Sequence, residues 1–274
     1  MAADISNVRK FWEENPLWTG ESQHEVGSEP FFVEHRETVL QDCMANRWDD
    51  RLSPPAEART ILDLGCGIGF WTVELAKITG QRIVSVDLTK AGCQLTRLRG
   101  QVFGTETRPS TGDAEHLPFP EGTFDHVNCQ GVIHHTPDTE AAVAEIHRVL
   151  RPGGTASVSV YYSNLLVRAW PVISPIRKLL ASVGIGLKGR GREGMLHAQS
   201  VEELVRQYDG ADNPVGKTYT LKEARNLFDP HFEVEQTFLH FFPKRAFPVA
   251  MPESVHRFCD RQLGFLIYFS LRKR

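Results

Sequence analysis

Short apolar runs alternate with amphipathic stretches between residue 59 and about residue 162. The apolar runs are Thr60–Leu64, Arg82–Asp87, Phe124–Gln130 and Thr155–Tyr162. Between the last two runs, Val143, Ile146, Val149 and Leu150 recur at helical spacing and mark one face of a predicted helix. This alternation is typical of repeated βα units, and it therefore predicts a parallel sheet.

The ends of this region are marked by residues that begin or stop helices. Asp138 is a good N-cap for the predicted helix, and Pro152-Gly153-Gly154 should stop it. After residue 163 the alternation gives way to helices and loops, and strand-like runs return only at Phe232–Leu239 and Phe265–Leu271. Residues 1–58 carry a helical pattern with aromatic residues and end in a loop rich in proline.

A glycine-rich turn follows the first apolar run, in the stretch ILDLGCGIG at residues 61–69. Glycines here let the backbone approach a ligand closely and expose amide groups at the start of a helix. A dinucleotide site would place a glycine three residues after Gly67, where this chain has Phe70. A tight turn without a ligand is the alternative interpretation of this motif alone.

Asp87 ends the next apolar run, at the same predicted edge of the sheet as the glycine turn. A carboxylate at this position can accept both ribose hydroxyl groups of a nucleoside cofactor. An acid that merely caps the following helix is the alternative. The pairing of Asp87 with the glycine turn favours a nucleoside cofactor.

Composition narrows the class of protein further. The 274 residues are 41% hydrophobic and 24% charged, as in globular proteins, and the net charge of −3 gives no general attraction for nucleic acid. No signal peptide and no apolar stretch of membrane-spanning length is apparent, so a cytoplasmic protein is expected. The cysteines are scattered and odd in number, which predicts reduced thiols and no metal site. They are Cys43, Cys66, Cys93, Cys129 and Cys259.

The chain resembles the class I S-adenosylmethionine-dependent methyltransferases, especially the branch with ubiquinone, menaquinone and natural-product enzymes. The matching stretches are ILDLGCGIGFWT, VSVDLT, GDAEHLPFPEGTFDHVNCQGVIHHTPD and HRVLRPGGTASVSV. The resemblance implies an α/β fold: a Rossmann-like, seven-stranded, mostly parallel sheet with helices on both faces. It also implies an N-terminal helical lid (1–58), a cofactor-binding core (59–162), an inserted substrate cap (163–220) and a C-terminal part of the sheet (221–274).

The resemblance further implies S-adenosylmethionine as the cofactor and a set of residues that would hold it. Gly65 and Gly67 would line its methionine part, with Asp63 supporting the ammonium group. Asp87 would hold the ribose, and Gln130 would present its carbonyl group to the amino group. The implied cofactor-binding set is Asp63, Gly65, Cys66, Gly67, Asp87, Leu88, Asp113, Ala114 and Gln130.

Candidate catalytic residues follow the fourth and fifth predicted strands. His134 and His135 come directly after the fourth strand, where the methyl group should point, and a histidine can accept a proton near neutral pH. A histidine that faces solvent or caps a helix is the alternative. Tyr161 and Tyr162 end the next strand; we expect one to touch substrate and the other to lie in the core, because alternate strand residues face opposite ways.

Two flanking segments are candidates for contact with the acceptor. Phe11 and Trp12 belong to a stretch that would fold over the ligands, or would simply pack on the sheet. The stretch 165–192 has six basic residues and no acid, which indicates either a solvated cap or a site for an anionic or amphiphilic acceptor or a membrane surface. The basic residues are Arg168, Arg177, Lys178, Lys188, Arg190 and Arg192.

The sequence therefore predicts methyl transfer to an oxygen, nitrogen or carbon atom of a small molecule. S-methylation of a small thiol or sulfide is a second enzyme hypothesis, and a cofactor-binding protein without turnover is the alternative of another class. Nucleic acid is not expected as a partner, because the fourth strand leads into NCQGVIHH rather than an Asn-Pro-Pro-aromatic motif.

Overall fold

The computed structural model describes residues 4–170, 198, 200–210, 212–244 and 251–274. Its strands are β1 (Ile61–Leu64), β2 (Val84–Asp87), β3 (Ser110–Thr111), β4 (Phe124–Gln130), β5 (Leu150–Tyr161), β6 (Phe232–His240) and β7 (Leu266–Lys273). Its α-helices are α1 (Ile5–Glu14), α2 (Glu29–Met44), α3 (Phe70–Thr79), α4 (Lys90–Val102), α5 (Thr139–Val149), α6 (Leu165–Ala169), α7 (Val201–Asp209), α8 (Leu221–Phe228) and α9 (Glu253–Leu263). Short 3-10 helices lie at Asp50–Leu52 and Ile133–His135.

One sheet holds the seven strands in the order β3-β2-β1-β4-β5-β7-β6. Strands β1 to β5 pair in parallel, and β7 is antiparallel to both of its neighbours, β5 and β6. The predicted mostly parallel seven-stranded sheet is confirmed, and β6 and β7 form an antiparallel pair at its end. In such a sheet the carboxyl ends of β1, β2 and β4 meet at one edge, where ligands bind in open α/β folds.

The sheet is buried on both faces. In β5, Val158 and Val160 belong to the large core cluster that includes side chains of α5 and α8, whereas Tyr161 packs in a second cluster with Met44 and Leu204. Strand side chains alternate in direction, so the two clusters lie on opposite faces of the sheet. The expectation that Tyr161 and Tyr162 separate is confirmed, since Tyr162 packs against the large cluster.

The boundary between α5 and β5 differs from the prediction. Asp138 caps α5 as expected, with Oδ1 accepting a hydrogen bond from the amide of Ala141 at 2.9 Å. Leu150, however, is the first residue of β5, and Pro152-Gly153-Gly154 lies inside that strand rather than in a loop. An irregularity in the β4–β5 pairing between Phe124 and His126 accommodates these residues, since proline and glycine are tolerated in strands at such bulges.

The edge strand β3 was missed in the sequence. It has only two residues, Ser110 and Thr111, which are both exposed and pair with Val86 and Asp87. A polar pair without alternation gives no strand pattern to detect.

The N-terminal helices are attached to the core through a buried cation. Arg99 of α4 is fully buried, and its guanidinium carbon lies 5.3–5.5 Å from the ring centroids of Phe32, Phe70 and Phe103. Burial lowers the pKa of Arg99 to about 9. Phe32 belongs to α2, and therefore this cation–π cluster joins the N-terminal segment to the first helices of the sheet.

Of the six basic residues singled out in the stretch 165–192, Arg168 lies in α6 and is exposed. The other five lie outside the described residues. None of the described helices has the length and apolarity needed to cross a membrane.

A buried histidine joins three distant parts of the chain. His240, at the end of β6, has Nδ1 2.5 Å from Oδ2 of Asp260 and Nε2 2.9 Å from Oδ2 of Asp49. Burial opposes a charge on the ring, but the two carboxylates outweigh it and raise the pKa of His240 above its usual value of 6.5. The protonated ring can donate to both carboxylates, whereas the neutral ring can donate to only one.

This arrangement predicts a pH-dependent contribution to stability. Because the pKa is raised in the folded state, the stabilisation is fully present below the unfolded pKa and is lost as pH rises through the folded pKa. We expect His240→Asn to lower the free energy of unfolding by about 3 kcal/mol near about pH 6, and by less near about pH 9. Denaturant unfolding at both pH values tests this, with His24→Asn as the exposed control; an equal loss at both pH values would refute it.

Candidate functional site

A cavity of about 320 Å³ opens at the carboxyl edge of β1, β2, β4 and β5. Most of the candidate residues from the sequence contribute to its wall. Those that line it are Gly65, Cys66, Gly67, Asp87, Leu88, Asp113, Ala114, Gln130, His135 and Tyr161. Asp63 and His134 do not line it.

The first half of the cavity is lined by the glycine turn together with Asp87, Leu88, Asp113, Ala114 and Gln130. Gly65, with φ of +74°, donates its amide to the carbonyl oxygen of Val86 at 2.7 Å, and a Cβ at this position would lie 2.3 Å from Cγ2 of Val132. Gly67 also has a positive φ, of +52°, and no atom lies closer than 4.0 Å to where its Cβ would be. The turn thus requires glycine at residue 65 for packing, and at Gly67 it leaves open space beside the backbone.

Asp87 ties this turn to the end of β2. Its Oδ2 accepts a hydrogen bond from the amide of Gly67 at 2.8 Å, while Oδ1 accepts from the amide and the hydroxyl of Thr89 at 2.9 and 2.7 Å. A carboxylate has about four acceptor positions, so capacity remains for one more donor. Burial raises the pKa of Asp87, and the hydrogen bonds from Thr89 and Gly67 oppose that shift.

Asp63 lies beneath the turn and acts through other side chains. It is 1% exposed, and it accepts from the hydroxyl of Thr72 at 2.6 Å and from Nδ2 of Asn128 at 2.8 Å. Burial raises the pKa of Asp63 to about 6. Asn128 in turn accepts from Nε2 of Gln130 at 3.0 Å, so the acid orients a side chain of the cavity wall instead of reaching the cavity itself.

Gln130 is the polar residue at the end of β4. Its Nε2 also donates to the carbonyl oxygen and the hydroxyl of Ser157, at 3.1 and 2.8 Å. These three acceptors fix the side-chain amide with nitrogen toward the sheet. Its Oε1 is buried and has no hydrogen-bond partner in the structure. A buried acceptor of this kind favours a ligand that brings a donor.

Asp113 and Ala114 also line the first half of the cavity. The Oδ1 atom of Asp113 accepts from the amide of Glu115 at 2.9 Å. Possible ligand atoms of Asp113, Glu115 and His116 lie within 4.8 Å of one another, and His116 is exposed. Such groups of surface acids are common without a bound ion, and the expectation that the protein has no metal site remains a prediction.

His135 stands in the other half of the cavity with both ring nitrogens facing acceptors. Nδ1 lies 2.7 Å from the carbonyl oxygen of Val215, and Nε2 lies 3.4 Å from Oδ2 of Asp209. His134 is fully buried behind it, with its ring centroid 3.9 Å from that of Tyr161. Burial lowers the pKa of His134 well below its usual value, so the ring is neutral and packs as part of the core.

Two features of this half were missed in the sequence. The hydroxyl of Tyr161 donates to both oxygens of Asp209, at 3.0 and 2.9 Å, and Asp209 lines the cavity from the end of α7. The loop 213–219 holds His135 through the carbonyl oxygen of Val215. No sequence signal marks Asp209, because it lies within an amphipathic helix far along the chain.

Aromatic side chains enclose this second half. They come from the N-terminal segment, α3, α7 and the last hairpin, and they include Trp12, Trp71, Tyr208, Phe241 and Tyr268. Phe241 has a φ of +72°, which is rare for a residue with a side chain and places the ring just beyond the His240 cluster. These aromatic side chains make the second half of the cavity largely apolar. The exceptions are His135, Asp209 and nearby acidic side chains.

Helix α1 covers the cavity and contacts both halves. The carboxylate of Glu13 accepts from the amides of Lys90 and Ala91, at 2.8 and 3.0 Å, at the start of α4. Trp12 lies edge-on to His135, with ring centroids 5.2 Å apart. A Cβ at Gly210 would lie 3.1 Å from Phe11 Cζ, so the helix also fits closely against the segment that carries Asp209.

Comparison with known proteins identifies the family of the central part of the chain. Residues 62–158 match the family model described as methyltransferase domain. This part of the chain is a class I methyltransferase domain. Its cofactor is S-adenosylmethionine, as in the rest of that family, and the residues implied from the sequence to hold the cofactor lie in or directly beside the matched range.

The names of the curated relatives of the methyltransferase domain refer to different molecules or pathways. A demethylmenaquinone methyltransferase of Lactobacillus johnsonii is 35% identical over 101 residues, 35% of this chain and 41% of the relative. A ubiquinone biosynthesis O-methyltransferase of Pseudomonas paraeruginosa is 28% identical over 155 residues, 48% of this chain and 65% of the relative. A methyltransferase of Streptomyces halstedii is 34% identical over 36% of each chain. The matches thus span less than two thirds of these relatives.

Solved structures extend the likeness of the fold beyond the methyltransferase domain. An S-adenosylmethionine-dependent methyltransferase from Methanosarcina mazei superposes with a TM-score of 0.55 at 19% identity, over 80% of this chain and 93% of the other. One from Mesorhizobium loti gives a TM-score of 0.53 at 21% identity, over 81% and 94%. At these identities the likeness concerns the fold alone.

The contact between Glu13 and the start of α4 predicts how firmly α1 is docked. Glu13→Gln removes the charge that accepts from two helix N-terminal amides, a contribution of about 1 kcal/mol. We therefore expect hydrogen exchange of the α1 amides to become about fivefold faster. Mass-spectrometric exchange measures this, and Glu14→Gln is the matched control because Glu14 is exposed on the same helix. Identical exchange in the two variants would show that Glu13 does not hold α1.

Proposed function

We propose that the protein transfers the methyl group of S-adenosylmethionine to a nucleophilic atom of a small molecule. One observation carries the proposal: a single cavity runs from the Gly67 amide and the Asp87 carboxylate to His135 and Tyr161. The first pair suits a nucleoside, and the second pair lies where an acceptor would meet it. Methyl transfer needs this alignment above all.

The residues of the first half fit the chemistry of the cofactor. S-adenosylmethionine carries a sulfonium and an ammonium charge and no phosphate, and no lysine or arginine is found among the described residues that line the cavity. Asp87 has acceptor capacity for one ribose hydroxyl, and the buried Oε1 of Gln130 can accept from the ammonium group. When bound, the cofactor supplies an activated methyl group for in-line displacement.

The residues of the second half would hold the acceptor and exclude water. Aromatic side chains and α1 enclose this space, and an apolar, enclosed site is typical of small-molecule binding. The curated relatives, whose names refer to demethylmenaquinone and to ubiquinone biosynthesis, support an acceptor of small size.

Asp87 provides the direct test of the cofactor site. Asp87→Asn replaces a charged acceptor by a neutral amide, and hydrogen bonds to charged groups are worth about 1.5–3 kcal/mol. We expect affinity for S-adenosylmethionine to fall about 10- to 100-fold in titration calorimetry. Asp229→Asn, an exposed aspartate remote from the cavity wall, should bind like wild type. A folded Asp87→Asn variant with wild-type affinity would remove Asp87 from the site.

Turnover is tested with cofactor labelled in its methyl group. Incubation of the protein with a metabolite extract should place the label in a small molecule, which mass spectrometry then identifies. Tight cofactor binding without transfer to any extract component would instead favour a binding protein without turnover.

A further inference from the structure

Asp209 lies at the meeting point of three segments that are far apart in the chain. Asp209 ends α7, which lies outside the matched methyltransferase domain. It faces His135, which lies in the turn after β4, and Tyr161, which ends β5. Its carboxylate is 3.4 Å from Nε2 of His135 and accepts the hydroxyl of Tyr161 through both oxygens. All three side chains line the cavity.

The contact with Val215 determines which nitrogen of His135 can exchange a proton. A carbonyl oxygen can only accept, so Nδ1 keeps its hydrogen whether the ring is neutral or charged. Nε2 is therefore the ring atom available to take up a proton; it lies 3.4 Å from Oδ2 of Asp209, on a side chain that lines the cavity. A proton taken up at Nε2 creates an imidazolium ion beside a carboxylate, which stabilises that ion.

We propose that Asp209 is the positioning residue of a proton-accepting pair with His135, and that the acceptor of the proposed methyl transfer is an aromatic molecule with a hydroxyl group. The inference rests on the proposed function. In the step, the hydroxyl oxygen bonds to the methyl carbon while Nε2 takes the hydroxyl proton. The electron pair of the broken carbon–sulfur bond stays on sulfur, and the positive charge passes to His135, where Asp209 balances it.

The choice of a hydroxyl follows from what each nucleophile needs. A neutral hydroxyl is a weak nucleophile, and removal of its proton during attack gives a large acceleration. A thiol ionises near neutral pH and gains little from a base. A neutral amine attacks through its own lone pair and loses a proton only after transfer. The pair of His135 and Asp209 is therefore most useful to a hydroxyl acceptor.

The choice of an aromatic acceptor follows from the wall of the cavity. Trp12 lies against His135, and the rings of Tyr161, Tyr208 and Phe241 belong to one chain of contacts, with Tyr161–Tyr208 centroids 6.1 Å apart and Tyr208–Phe241 centroids 5.9 Å apart. Aromatic walls favour planar rings through offset and edge-to-face packing. A ring held there can direct its hydroxyl toward Nε2.

The experiment compares acceptors of graded acidity. The probes are phenol, 4-chlorophenol and 4-nitrophenol, with aniline and thiophenol as acceptors of the other classes, each with methyl-labelled S-adenosylmethionine. The proteins are wild type, Asp209→Asn, His135→Gln and the double variant, with Glu202→Gln as the control because Glu202 is exposed on the same helix. Calorimetry with the cofactor accompanies every variant.

We expect wild type to methylate the phenols. His135→Gln should lower kcat on phenol by about 10²–10⁴-fold and Asp209→Asn by about 10²-fold, with cofactor affinity unchanged. The loss should shrink along the series to 4-nitrophenol, whose hydroxyl is already largely ionised in mildly alkaline buffer. The double variant should be about as slow as His135→Gln alone, because the two residues act as a unit.

Three results would overturn the inference. An equal loss across the phenol series in Asp209→Asn would mean that Asp209 has only a structural role. A fully additive double variant would mean that the two residues act independently. Methylation of aniline, thiophenol or an extract component, but of no phenol, would refute the acceptor class while the proposed function stands. Failure to bind S-adenosylmethionine at all would instead refute the proposed function.

Discussion

The hydrogen bond from the Gly67 amide to the Asp87 carboxylate is the contact on which the rest of the cavity depends. It joins the turn after β1 to the end of β2, and these strands are neighbours in the parallel sheet. The turn must bend sharply enough to bring the Gly67 amide to that carboxylate, which Gly65 and Gly67 permit through positive φ angles. Beneath it, Asp63 and Asn128 connect the same turn to Gln130 and β4. Polar contacts thus connect the ends of these three strands.

The two halves of the cavity have different origins in the chain. The glycine turn, Asp87 and Gln130 all lie within the matched methyltransferase domain, and α1 contacts the first half through Glu13 at the start of α4. The half with His135 is completed by α1, α7, the loop 213–219 and the C-terminal hairpin. A domain built in this way can keep its cofactor chemistry while the surrounding segments determine which acceptor fits.

The sequence predicted what depends on local pattern and on sheet geometry. The parallel part of the sheet, the capped helix after Asp138 and the residues at the ends of β1, β2 and β4 follow from periodicity and from the rule that parallel strands share a carboxyl edge. The number of seven strands was implied by the resemblance to the class I methyltransferases. The sequence failed where tertiary context decides. Pro152-Gly153-Gly154 is accommodated by a strand irregularity and does not lie in a loop. Asp63 and His134 are buried and do not line the cavity, and their roles toward cofactor and acceptor stay predictions. Asp209 could not be predicted, because only folding brings the end of α7 to His135.

The position of α1 has a consequence for the kinetics of ligand exchange. The helix contacts the start of α4 through Glu13 and the segment beside Asp209 through Phe11, so it spans both halves of the cavity. A ligand that enters past α1 therefore meets both halves of the cavity at once. In the proposed reaction, cofactor and acceptor would exchange along one route, and the mobility of this single ten-residue helix would influence the rate of that exchange.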